Sequence, residues 1–166
     1  LLGARQLAFL DEWAADWSGD AWVKLALSQT PFANVATLPQ GGTETDLPTT
    51  PIFGADVYPE GETLAADCDS GGWPQSARNE ALVRLRRAAA LHVAGDQHLA
   101  STVRYGIDAH DDAGYCLTAP AVANSWPRRW FPPHDGEGNA SDALRDTADA
   151  PRYTGRFFDG FGNRMT

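Results

Sequence analysis

The chain has 166 residues, 43% hydrophobic and 21% charged, a globular composition of one-domain size and not that of a disordered tail. Thirteen basic and 22 acidic side chains leave a net charge of −9, which argues against sequence-independent nucleic-acid binding and against docking on an anionic membrane. There is no run of 18 apolar residues to make a transmembrane helix, and Cys68 and Cys116 are too few for a disulfide scaffold and lack zinc-ligand spacing.

The chain opens Leu1-Leu2-Gly3, without Met or a signal-peptide pattern, and closes on Asn163-Arg164-Met165-Thr166 without a polar tail. The expectation is a piece of a longer protein. Residues 3–17 predict an amphipathic helix. Leu7, Leu10, Ala14 and Trp17 recur at helical spacing, and Phe9 and Trp13 widen the stripe. Arg5, Asp11, Glu12 and Asp16 take the wet face, and Ser18-Gly19-Asp20 is the stop. Ala21–Leu27 predicts a buried strand whose only charge is Lys24.

Residues 31–73 read as a long acidic insertion. They hold five prolines, Gly41-Gly42, Gly71-Gly72 and seven acids, among them Glu44, Asp46 and Asp69, with no Lys or Arg. The simplest reading is a solvated, structureless excursion. Pro74–Ala90 predicts the clearest helix, with Pro74 in its first turn and Ala81, Leu82, Leu85, Ala88 and Ala89 as the apolar stripe. Arg78, Arg84, Arg86 and Arg87 are its basic residues.

Leu91–Ala94 is a short buried strand, so 21–27, the crossover helix and 91–94 predict a βαβ unit. Leu99–Ile107 and Tyr115–Ala123 predict two further strands around a polar turn, Asp108–Gly114. Trp126–Pro133 is aromatic and basic, 134–152 reads as loop, and Phe157–Phe161 is apolar again.

Chemistry gathers at Gly95-Asp96-Gln97-His98, directly after the strand Leu91–Ala94. In an α/β fold, ligands bind beyond the carboxyl ends of strands. Asp96 and His98 lie two positions apart, so in extended chain both point the same way. A carboxylate and an imidazole converging on one point suit iron, manganese or zinc.

The segment Leu91–Ser101 resembles the last metal-binding motif of the calcineurin-like metallophosphoesterases, and most closely that of the PhoD-like alkaline phosphatase (alkaline phosphatase D) family. Leu2–Leu10 is similar to that family's "LG..Q..WL" helix, and Lys24–Thr30 to the strand that follows. Asp69–Arg78, Ala119–Trp130 and Asp159–Thr166 extend the resemblance in the same order along the chain.

The resemblance implies an α/β fold, half of a four-layer αββα sandwich, with the strands at 99–107 and 115–123 extending its second sheet. It implies a phosphomonoesterase or phosphodiesterase with two or more metal ions, iron and calcium or other divalent metals, acting on a phosphate ester. Asp96, His98 and, through a gapped match, Asp69 would be metal ligands. Ser28 stands where many relatives carry an Asn. Relatives of this kind are often secreted or periplasmic.

The family's Asp-x-His, Gly-Asp-x-x-Asp and Asn-His-Asp/Glu motifs do not occur in these residues. The rest of the metal cage is therefore expected from the remaining half of the same polypeptide, and the 166 residues alone are expected to be inactive. The alternative is a degenerate, non-catalytic phosphatase-like binding module.

Arg128 and Arg129 offer bidentate donors for a substrate phosphate, against the plainer reading that they stack on Trp126 and Trp130. The acids and His110 between Asp108 and Asp112 read as a turn, and His92 as a core histidine. There is no Gly-x-Ser-x-Gly elbow, no P-loop and no dinucleotide fingerprint.

Overall fold

Helix α1 (Ala4–Ala15) ends two residues short of the predicted stop, because its last turn is closed from outside. Lys24, buried and not part of a strand, donates from Nζ to the carbonyls of Trp13 and Ala14 and lies 4.2 Å from the Trp17 ring centroid. A cation on the last carbonyls of a helix satisfies acceptors that have no partner within it. That cap draws residues 21–24 away from the predicted strand, so β1 is Leu25–Ser28 and Trp22 is 87% exposed. The computed structural model describes residues 2–34, 37–38, 49–50, 63–65, 74–121, 130 and 156–166.

Helix α2 (Gln75–Arg87) packs on α1, and Asp11 of α1 bridges Arg84 and Arg87, each at 2.9 Å. Asp11, expected on the wet face, is thus a helix-to-helix clamp. The helix stops earlier than Ala90 in a Schellman turn. Ala90 N–H donates to the Leu85 carbonyl and Ala89 N–H to that of Arg86, with Ala89 at φ 47°.

The chain then enters β5 (Leu91–Ala94), which pairs in parallel with β1, Leu25 facing Leu91 and Ser28 facing Ala94. The predicted parallel pairing of the first two strands is thus present, with a helix in the crossover.

The second expectation about the sheets is corrected. Strands β6 (Ser101–Arg104) and β7 (Tyr115–Thr118) do not extend a second sheet. They join the first, in the order β1-β5-β7-β6, with β7 parallel to β5 and β6 antiparallel at the edge. The register explains why. Cys116 and Thr118 face His92 and Ala94, so all four side chains continue one buried surface.

That surface meets α1 and α2 in a core that includes Ala14, Ala81, Leu82, Leu85, Ala94, Val103 and Cys116. Cys116 is a free thiol there. The opposite face carries Leu25, Leu27, Tyr115 and Leu117, which are 42% to 76% exposed. Parallel strands in α/β proteins are ordinarily covered on both faces.

The insertion is also less bare than predicted. Pro31, Phe32, Ala33 and Asn34 are buried beside the core. Further on, β2 (Thr37–Leu38), β3 (Thr49–Thr50) and β4 (Thr63–Ala65) form a small antiparallel sheet in the order β2-β4-β3.

The apolar run at the end of the chain makes a hairpin, β8 (Phe157–Phe158) and β9 (Arg164–Met165). Its loop is held by Asp159, whose carboxylate accepts from the Phe161 and Asn163 N–H groups and the Asn163 amide at 2.8 to 2.9 Å. Arg78, one of the four basic residues of its helix, is 1% exposed. Its guanidinium donates to the carbonyls of Gly106 and Arg164 at 2.7 and 2.8 Å, tying α2 to the β6 turn and to β9.

Burial lowers the Arg78 pKa from its ordinary value to about 10, so the charge persists at neutral pH. Arg78→Met should leave two carbonyls without their donor and cost about 3 kcal/mol in urea unfolding. A loss below about 1 kcal/mol would show that the tie is not structural.

Candidate functional site

Beyond β5 the chain makes a three-residue γ-turn centred on Asp96. Gln97 N–H donates to the Gly95 carbonyl at 2.7 Å, and Asp96 has φ 63°. The positive-φ form of this turn is rare and strained, and strain of this kind clusters at functional sites. The turn is held from both sides. Gly95 N–H donates to the Gln29 carbonyl after β1, and the Gln97 carbonyl accepts from Ala121 N–H after β7, each at 2.9 Å. Ala119 N–H closes on the Ala94 carbonyl, also at 2.9 Å. The carboxyl ends of three parallel strands therefore pin one turn.

Asp96 and His98 are both half-buried on this turn. Neither side chain has a hydrogen-bond or ion-pair partner among the described residues. Gln97 between them is 2% exposed, and its Nε2 has no partner among the described residues. Sequence reading passed over Gln97, whose only signal is its place between two candidate ligands.

Asp96 and His98 fit a metal ion in donor chemistry, an oxygen and an imidazole that have no other partner among the described residues. Among the described residues no group of three His, Cys, Asp or Glu converges. Asp69, Arg128 and Arg129 lie outside the described residues.

Ser28 and His92 sit just below the turn on β1 and β5. Their Oγ and Nε2 are 2.7 Å apart, a spacing that suits a nucleophile and its base. The direction of the hydrogen bonds points elsewhere. Phe32 N–H donates to Tyr105 Oη at 2.9 Å, which leaves the Tyr105 proton for His92 Nδ1 at 3.0 Å. The His92 hydrogen is then on Nε2 and donates to Ser28 Oγ, whose own proton goes to the Thr30 carbonyl at 2.5 Å.

This tautomer is assigned from the network. His92 is a donor to Ser28, not a base for it. Burial keeps the ring neutral, lowering its pKa from 6.5 to about 4. His92, read from the sequence as a core histidine, is 1% exposed. The chain of hydrogen bonds fixes the ends of β1 and β5 that carry the turn.

The cluster at Asp108–Asp112 is a turn, as its polarity predicts. The Asp112 carboxylate accepts from the N–H groups of Ile107, Asp108 and Ala109 at 2.6 to 3.2 Å and faces Arg86 at 3.5 Å. Asp112 is thus occupied by the backbone.

Comparison of the chain with models of known families, with curated proteins and with solved structures returns no match, so the reading of the site rests on its residues.

Proposed function

We propose that these 166 residues are part of the catalytic domain of a metal-dependent phosphoric ester hydrolase of the PhoD-like kind, one half of a four-layer αββα sandwich. One observation carries the reading. Asp96 is held at positive φ at the carboxyl ends of three parallel strands, with His98 two residues on and neither side chain partnered among the described residues. A non-glycine residue in a strained turn, where α/β folds place their ligands, has a reason beyond folding. The uncovered apolar face of β1 and β7 supports the sandwich, because a second sheet packed there would bury Leu25, Leu27, Tyr115 and Leu117.

In this reading Asp96 and His98 hold one side of the metal centre, and Asp69 joins them. Arg128 and Arg129 bind the substrate phosphate as planar, bidentate donors. When bound, two metal ions supply an activated water and charge stabilisation on the phosphate oxygens. The carboxylate oxygen suits a hard ion such as calcium and the imidazole suits iron. The γ-turn holds the two ligands in place, and its hydrogen bonds to Gln29 and Ala121 keep it from relaxing.

The test is turnover of p-nitrophenyl phosphate and bis-p-nitrophenyl phosphate, with iron and calcium supplied, by the full-length polypeptide that contains these residues. Asp96→Asn and His98→Ala should each lower turnover by at least about 100-fold. Activity indifferent to both substitutions would sink the assignment. A full-length protein that binds no metal and turns over neither ester would instead be the binding module.

Stability gives a second readout. Asp96→Gly releases turn strain of about 1–3 kcal/mol against about 1 kcal/mol of added unfolded-chain entropy. The variant should therefore be at least as stable as the parent in urea while losing bound metal. A clear loss of stability would mean that the carboxylate serves the fold.

A further inference from the structure

Strand β1 lies at one edge of its sheet. Leu91 N–H donates to the Lys24 carbonyl at 3.0 Å, and Leu25 faces Leu91 in the parallel register. That phase turns the backbone groups of Ala26 and Ser28 toward β5 and those of Leu25 and Leu27 outward. Among the described residues nothing pairs with this outer side. The edge is open to solvent, with Leu25 52% and Leu27 76% exposed.

Proteins ordinarily guard such an edge with a charge, a proline or a bulge. Leu25-Ala26-Leu27-Ser28 has none of these. The nearest cation, Lys24, is turned inward onto the last carbonyls of α1. Beside the edge, between α1 and β1, runs a groove of about 440 Å³ whose lining includes Phe9, Leu10, Trp13, Ala26 and Phe32. Its described lining holds no Asp, Glu, Lys or Arg, and Phe9 there is 63% exposed.

We propose that the outer edge of β1 pairs with the same edge of a second copy, antiparallel, about a twofold axis at Ala26. The strand is self-complementary in this register. Leu25 of each copy exchanges hydrogen bonds with Leu27 of the other, so every outward N–H and carbonyl of these residues is satisfied. The same leucines meet as cross-strand pairs on the open face of the sheet. Ala26 meets Ala26 at the narrow, non-hydrogen-bonded position, where two methyl groups permit the close approach.

The strand brings no charge to the seam, although each copy carries −9. Its four residues span about 13 Å, and a seam of that length buries less than the roughly 800 Å² per partner of a standard interface, so the dimer is weak. The pairing uses neither the Asp96 turn nor a metal and leaves the open face uncovered, so it stands apart from the phosphoester reading.

The experiment is sedimentation equilibrium of the 166-residue chain from about 5 µM to about 1 mM. A monomer–dimer equilibrium is expected, with a Kd of about 100 µM at about 0.15 M NaCl. It should tighten about threefold at about 0.5 M, where salt screens the repulsion between copies. Leu27→Pro removes an outward N–H and no bond to β5, and it should weaken the dimer at least tenfold. Leu117→Lys, on β7 and away from the edge, should change the Kd less than twofold. In a mixture of isotope-labelled and unlabelled chains, the Ala26 Hα should show an intermolecular NOE to the Ala26 Hα of the other copy.

A chain that stays monomeric at 1 mM would overturn the proposal, and slow exchange of the Leu25 and Leu27 amides in that monomer would show that the chain covers its own edge. A dimer lost in Leu117→Lys and kept in Leu27→Pro would also overturn it, in favour of packing through the open face. Should Leu27→Pro not fold, Leu27→Lys at the same exposed position and the Ala26 NOE decide.

Discussion

Lowering the pH from about 7.5 to about 5 should remove about 2 kcal/mol of stability through His92 alone, and about 3 kcal/mol by the time the pH passes about 4. The folded chain holds this imidazole at a pKa of about 4, against 6.5 in the unfolded chain. Between those values the unfolded state binds more protons, so stability rises with pH across the window. It is complete above 6.5 and is lost as pH falls toward 4.

The cause is burial. The ring sits 4.3 Å from the Phe32 ring, centroid to centroid, and its register neighbours on the sheet are Ala26 and Cys116, neither of which offers a counter-charge. Both ring nitrogens are already engaged, Nδ1 as an acceptor from Tyr105, so a second ring proton would also break that bond. His92→Gln keeps one acceptor and one donor and cannot titrate. It should be less stable than the parent at about pH 7.5 and close the gap as the solution is acidified. Urea unfolding of both chains across this range measures it, and parallel curves would refute the assignment.

Gly106→Ala should be the most damaging of the small substitutions, costing at least about 3 kcal/mol and about 10 °C in Tm. A Cβ at this position would lie 2.0 Å from the Ala109 carbonyl oxygen and 2.7 Å from the His110 Cα. Both are backbone atoms of the turn after β6, with no side-chain end to swing away. Gly106 cannot retreat either, because its N–H donates to the Arg164 carbonyl at 3.0 Å and its carbonyl takes the Arg78 guanidinium. Strand, helix and hairpin meet at one residue without a side chain. A melting temperature within about 3 °C of the parent would show that the turn can open.

What was legible in the sequence was local. The strand Leu91–Ala94 was read to the residue, because a Schellman turn bounds it on one side and Gly95 on the other. Both helices were read within two or three residues at each end from their apolar spacing. The strand ends at 21–24, 105–107 and 119–121 were not, because each leaves the ladder for a specific bond. Lys24 caps α1, Tyr105 bridges Met165, and Ala119 and Ala121 bind the turn at Asp96.

Sheet membership of β6 and β7 was misread because strand order depends on register across the fold, which periodicity does not carry. The partners of the buried charges were not legible for a related reason. Lys24, within a predicted buried strand, and Arg78, on a helix, are inside because carbonyls at a helix end and at a turn need donors, which residue type does not reveal. At the candidate site, the position of Asp96 past a strand followed from the pattern, while its strained φ did not.

The uncovered face of Leu25, Leu27, Tyr115 and Leu117 makes the colloidal behaviour of this chain a contest between adhesion and repulsion. At neutral pH the charge of −9 keeps copies apart while this oily surface draws them together. Acid removes the repulsion near the isoelectric point, about 4.7, within the interval in which protonation of His92 loosens the sheet beneath that surface. Solubility and fold should therefore fail together, and mild acid is expected to precipitate this chain instead of releasing it as a soluble unfolded coil.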